Sequence, residues 1–165
     1  MIVISNASPL ILLAKIGHFD LLHRLFNEIV VAPEVWDEVV VRGAGRPGAA
    51  EMQQASWIRI ALLSNPALLA VWQAQHHLGL GELATILLAI DLSADVTLID
   101  ERRARLLAQA QSVPVLGVVG LLQLGYRSGE VSDLRQAYQT LLVQGGHIDK
   151  CLVNRSLAAC NLPPL

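Results

Sequence analysis

The chain opens Met1-Ile-Val-Ile-Ser-Asn-Ala-Ser-Pro-Leu-Ile-Leu-Leu-Ala-Lys15, an order of residue types that feeds a strand into a helix. Met1 to Ser5 is a short apolar run with β-branched residues, ending in polar ones. Ser8 and Pro9 then read as an N-cap and a first-turn proline ahead of Leu10 to Lys15. The pattern recurs. His18 or Asp20 opens a second helix through Phe26, and Ile29 to Ala32 follows as a strand. Pro33 starts a helix that carries Val35, Trp36, Val39 and Val40 at helical spacing, and Gly43-Ala-Gly-Arg-Pro-Gly48 interrupts it with a loop.

Further along, Trp57 to Ala61 alternates as an edge strand, and Pro66 to His76 is helical until Gly79-Leu-Gly81 ends it. A helix opening at Glu82 places Leu83, Ile86, Leu87 and Ile90 on one face. Asp95 introduces a strand over Val96 to Ile99, which Asp100 closes. Arg102 to Gln111 reads as a helix and Val113 to Leu116 as a short buried strand. Three more helices are expected over Val118 to Arg127, Asp133 to Gln144 and Asp149 to Ala159. Strands alternating with helices imply right-handed crossovers, and so a three-layer α/β/α fold around a central parallel sheet of four to five strands. In such sheets ligands gather outside the C-terminal strand ends, near the point where strand order reverses. Ser5-Asn6 and Asp100 stand at two of those ends.

The 165 residues suit one domain, and a 53% hydrophobic, 4% aromatic composition suits a core of aliphatic side chains between layers. A net charge of −2 supplies no general attraction for nucleic acid, so any such contact must be local. Arginines do cluster, at Arg42 and Arg46 around the glycine-rich loop and at Arg102, Arg103 and Arg105 after a strand. The longest uncharged apolar stretches, Met1 to Ala14 and Val113 to Tyr126, fall short of the roughly 20 residues of a spanning helix. With no basic start or cleavage site of a secretory signal, the expectation is a cytoplasmic protein with no membrane partner. Cys151 and Cys160 lack metal-site company, and His18, His23, His76, His77 and His147 are scattered, which excludes a zinc pattern. The apolar content and the Leu-rich helices predict a homodimer.

Four positions stand where chemistry is expected: Asn6 after the first strand, Glu38 on the helix after the second, Glu82 in the first turn of its helix, and Asp100. Each also has an ordinary explanation. Asn6 suits a turn, Glu38 a solvated helix face, Glu82 the helix dipole, and Asp100 an N-cap for the Arg102 helix. Their importance therefore rests on convergence.

The blocks around these positions carry a family resemblance. Val3-Ile-Ser-Asn-Ala-Ser-Pro-Leu-Ile11 with Ala14-Lys-Ile-Gly17 resembles the start of a PIN (PilT N-terminal) domain, in the prokaryotic branch catalogued as a domain of unknown function and related to VapC-type toxins. Ala32-Pro-Glu-Val-Trp-Asp-Glu-Val39, Leu78-Gly-Leu-Gly-Glu82, Leu98-Ile-Asp-Glu-Arg-Arg103 and Val113-Pro-Val-Leu-Gly117 follow in the family's order. The resemblance covers residues 1–128, and residues 129–165 read as a helical extension packed on the same domain.

What the resemblance implies is a metal-dependent endoribonuclease, the toxin of a toxin-antitoxin pair, with RNA as substrate and a small antitoxin protein as partner. It maps the acidic positions onto Asn6, Glu38, Glu82 and Asp100. Glu38, Glu82 and Asp100 would be catalytic, and Asn6, Glu82 and Asp100 would hold Mg²⁺ or Mn²⁺. A small shift in alignment would put Glu34 or Asp37 in place of Glu38. Ser8, Arg46, Arg102 and Arg103 would contact substrate, although Arg102 could instead pair with Glu101 or Glu38. Asn6 coordinates through a carbonyl and brings no charge, so the alternative is a catalytically weak or inactive PIN-like binding module.

Overall fold

Strands bury both faces when helices cover a sheet on each side, and the two strands following the opening pattern do so: Val3, Ile4 and Ser5 are all buried, as are Ile29, Val30 and Val31. In the computed structural model, which describes residues 1–145 and 148–165, Val3–Ser5 (β1), Ile29–Val31 (β2), Ile58–Ile60 (β3), Val96–Leu98 (β4) and Val115–Leu116 (β5) form one sheet. His147 lies outside the described residues. The strand order is β3-β2-β1-β4-β5 and every pairing is parallel, with Ile4 level with Val30 on one side and Thr97 on the other. The fold is α/β, as the sequence predicts. β3, expected at an edge, is at an edge, where Ile60 stays exposed.

Helices follow in chain order: Ala7–Lys15 (α1), Leu21–Phe26 (α2), Pro33–Trp36 (α3), Ala49–Gln54 (α4), Ala67–Gln75 (α5), Leu80–Asp91 (α6), Arg102–Ala110 (α7), Val118–Arg127 (α8), Leu134–Gln144 (α9) and Lys150–Ala159 (α10). The chain steps from β1 outward to β3 and then returns to place β4 on the other side of β1, so right-handed crossovers send α5 to α7 to the face opposite α1 and α2. α6 packs on β1 and β4 and touches both α5 and α7, whereas α1 packs on α8 and α9, and α10 on α8 and α9. Leu10, Leu13, Leu21 and Leu22 are fully buried on the α1 side and Ile86 and Leu88 on α6. Each such side chain contributes roughly 1.5–3 kcal/mol by leaving water.

Several boundaries differ from the sequence reading. α1 begins at Ala7, not after a Ser8 cap, because Asn6 is still in the sheet: its N–H donates to Leu98 O at 3.0 Å. Ser8 and Pro9 therefore fall within the first turn, where a missing proline N–H costs nothing. α6 starts at Leu80, two residues before Glu82, with Glu82 reaching back to the Gly79 N–H as a capping box does. Glu101, not Asp100, caps α7, its Oε2 accepting the Ala104 N–H at 2.7 Å. The helix opened by Pro33 widens into a π-helical turn over Asp37–Val41, and α4 is an added short helix. α5 buries none of its residues despite its apolar sequence. Among the described residues no helix is long and apolar enough to cross a membrane.

Candidate functional site

Strand order reverses between β1 and β4, so the crevice past their C-terminal ends is where this fold admits a ligand. Asn6 leaves β1 in an extended conformation (φ −77°, ψ 170°), and its side chain caps nothing. The residue is buried and its Oδ1 has no hydrogen-bond partner. A buried carbonyl left without a donor costs about 1–3 kcal/mol, a cost that a bound ligand can relieve.

Two carboxylates reach the same place from other elements. Glu38 sits in the π-helical turn, a departure from regular helix often found at functional sites. Glu82 sits in the first turn of α6, held by the Gly79 N–H at 2.9 Å. Gly81 lies between them: a Cβ there would stand 2.8 Å from Glu38 Oε2 and 3.6 Å from Asn6 Oδ1. The missing side chain is what lets these oxygens converge over the start of α6. Asn6, Ala7, Ser8, Glu38, Gly79 and Glu82 line a cavity of about 340 Å³. Burial raises the pKa of Glu82 above that of an ordinary carboxyl, the Gly79 N–H opposes the shift, and the charges of Glu101 and Glu38 add to it.

Asp100 lies two residues beyond β4. Because Glu101 takes the capping role, the Asp100 carboxylate turns instead to α8, where Oδ1 accepts the Val118 N–H at 2.8 Å. A Cβ on Gly117 would come within 2.9 Å of that oxygen and 3.0 Å of Arg105 Nη1, so glycine is needed for the approach. Arg105 is anchored by donating to Ile99 O at 2.8 Å. Asp100 Oδ2 is buried with no partner. Burial pushes the Asp100 pKa up, against the lowering influence of the Val118 N–H and the Arg105 charge.

Asp100 borders a second, larger cavity of about 650 Å³, together with Glu101, Arg102, Arg105 and a leucine-rich wall from α1, α7 and α10. Ser8 lines both cavities. The structure thus gathers Asn6, Glu38 and Glu82 in one cavity and sets Asp100 and Arg102 in the adjoining one. Arg103 lines a separate cavity of about 200 Å³ with His76 and His77, and Arg46 is exposed on the glycine-rich loop. Of the alternatives to Glu38, Asp37 is taken up by Arg42 at 2.8 Å, while Glu34 Oε2 is buried without a partner. The ion pairs among the described residues join Arg24 to Glu130, Arg42 to Asp37 and Arg59 to Glu28, so Arg102 pairs with neither Glu101 nor Glu38.

Glu101 and Arg105 are site neighbours that the sequence offered only as a partner for Arg102 and as a member of an arginine cluster, not as site residues. Glu101 was visible as an acid beside Asp100, and Arg105 as a cation one helical turn beyond Glu101. Among the described residues no group of three or more His, Cys, Asp and Glu side chains could hold a metal by itself.

The chain matches the PIN-domain family DUF3368 over residues 2–161. No curated protein and no solved structure matches it. PIN domains generally use divalent metals, and family membership points to nuclease activity. The match runs from the residue before β1, through the strand ends that carry Asn6 and Asp100, to the end of α10, and on that extent the chain belongs to the PIN-domain family.

Proposed function

We propose that the chain is a metal-dependent endoribonuclease that hydrolyses RNA phosphodiester bonds, with Asn6, Glu82 and Asp100 holding Mg²⁺ or Mn²⁺ and Glu38 beside them. The observation carrying this reading is the pair of buried, unpartnered oxygens, Asn6 Oδ1 and Asp100 Oδ2, after the two strands that flank the reversal in strand order. The donors are all oxygens, which suits a hard cation. Such a cation keeps several waters and needs only one or two carboxylates, because substrate phosphate completes its shell. When bound, it supplies charge neutralisation at the phosphate and acidifies a water.

The chain's own groups set the geometry. The Val118 N–H holds one oxygen of Asp100 and leaves the other free, and the Gly79 N–H does the same for Glu82. Glu38 Oε2, the most exposed of the acids, is the atom assigned to take a proton from the attacking water. Ser8 and Arg102 contact the phosphate, while Arg46 and Arg103 lie outside both cavities and meet RNA further along its backbone.

The test is cleavage of single-stranded RNA with Mn²⁺ or Mg²⁺, beside EDTA and Asp100→Ala controls. Metal-dependent cutting lost in both controls is expected, and cutting that survives Asp100→Ala would overturn the assignment. On the same reading the chain is the toxin of a toxin-antitoxin pair: expression is expected to arrest growth, and Asp100→Ala to relieve the arrest. A second reading is a catalytically weak or inactive PIN-like binding module, favoured by the neutral amide at Asn6. Absence of cleavage by a folded protein with either metal would select it.

A further inference from the structure

The larger cavity has two kinds of lining. Asp100, Glu101, Arg102 and Arg105, with Asp149 at the start of α10, are charged, whereas Leu12 of α1, Leu106 of α7 and Leu152 of α10 are apolar. Leu106 and Leu152 remain 57% and 44% exposed, although leucines of a finished core are not. Its volume of about 650 Å³ falls in the range of pockets that take a small organic group. Gln109, on the wall, presents an amide that can both donate and accept.

We propose that this cavity is a nucleobase subsite, which takes one unpaired base of single-stranded RNA whose phosphate lies at Asp100. The position of the phosphate rests on the nuclease reading above; the binding of the base does not. A base has two flat apolar faces and a polar edge, the combination that leucine walls with the Gln109 amide and the Asp149 carboxylate accommodate. A ribose-phosphate chain alone would leave the leucines unmatched. An apolar peptide would leave unmatched Arg102, which is not ion-paired among the described residues. Arg102 is exposed in the charged lining, where its planar fork suits an incoming phosphate. A duplex keeps its bases stacked inside, so only an unpaired nucleotide can enter. Three helices distant in sequence build the wall, which makes base recognition a property of the whole fold and not of one motif.

The experiment is fluorescence anisotropy of the full chain in EDTA, where nothing is cut. The probes are a short labelled single-stranded RNA, an abasic backbone of equal length and charge, and a duplex. The RNA is expected to bind roughly tenfold more tightly than the abasic backbone, a ratio equal to about 1.4 kcal/mol. Leu106→Ser and Leu152→Ser, both partly exposed and so cheap to the fold, should erase most of that ratio while leaving abasic binding alone. Equal binding of RNA and abasic backbone by the wild type overturns the subsite, whatever the variants do. So does a ratio untouched in both folded variants, the result expected if a protein segment occupies the cavity instead. Base-dependent binding without cleavage in Mn²⁺ would keep the subsite and remove the nuclease reading.

Discussion

Asp100 Oδ1 accepts the backbone N–H of Val118 at 2.8 Å, and this bond ties the end of β4 to the first turn of α8. The helix terminus presents a free N–H and partial positive charge to a carboxylate whose other oxygen stays unpartnered. Asp100 is therefore fixed by backbone, not by another side chain.

Gly117→Ala should break this arrangement. The new methyl would meet Asp100 Oδ1 at 2.9 Å and Arg105 Nη1 at 3.0 Å, and Asp100 is hemmed in. Crowding of this kind costs about 1–3 kcal/mol, a fall of several degrees in Tm. Metal-dependent cleavage should drop with it. A variant that melts and cuts like the wild type would show that the glycine is not what seats Asp100.

Gly81→Ala makes the opposite test. Here the methyl meets Glu38 Oε2 at 2.8 Å, the far end of an exposed, flexible side chain that can swing away. Stability should change by no more than about 1 kcal/mol, since alanine suits a helix better than glycine. Activity should still fall, because Glu38 leaves the neighbourhood of Asn6. Melting curves and cleavage rates measured together check the pairing, and full activity would remove Glu38 from the site.

Much of this was readable from residue order. The strand-helix alternation gave the parallel sheet, and the positions past β1 and β4 marked Asn6 and Asp100 because strand ends are where such folds open. The π-helical turn was not readable, since Val35, Val39 and Val40 fit a regular helix equally well. Nor was the separation into two cavities, which depends on which way Asp100 turns once Glu101 has taken the cap. α4 escaped because Ala49–Gln54 has one large apolar residue, Met52, and no periodicity to detect. Leu152 contributes to the cavity wall from more than forty positions beyond Leu106, a contact set by how α10 packs on α8.

The raised carboxyls give a pH dependence with a definite sign. Asp100 and Glu82 titrate above their ordinary values of 3.8 and 4.5, with burial the largest cause in each. They bind protons more tightly folded than unfolded, so their contribution to stability is fully present below the ordinary pKa values. It is lost as pH rises through the folded ones. In EDTA, Asp100→Asn and Glu82→Gln should therefore gain on the wild type as pH climbs from about 4 towards neutrality. Each amide oxygen can still accept the backbone N–H, which isolates the charge. Urea midpoints across that range measure it, and variants that lose ground with rising pH would contradict the burial argument.

Asn6→Asp asks whether the buried oxygen after β1 faces a cation. The substitution keeps the shape and adds a charge near Glu38 and Glu82. Without metal, like charges gathered in one partly buried cavity repel, and the variant should melt below the wild type in EDTA. With excess Mn²⁺ the order of effects reverses, because a carboxylate binds a hard cation more tightly than an amide does. A tenfold gain in affinity is worth about 1.4 kcal/mol of added stabilisation at saturating metal, or roughly 3–6 °C in a chain of this size. The metal-induced rise in Tm should thus exceed that of the wild type by that margin, and cleavage at limiting Mn²⁺ should increase. A rise no larger than the wild type's would mean that position 6 meets no metal, and the unpartnered amide would then belong to a repurposed pocket, as the binding-module reading requires.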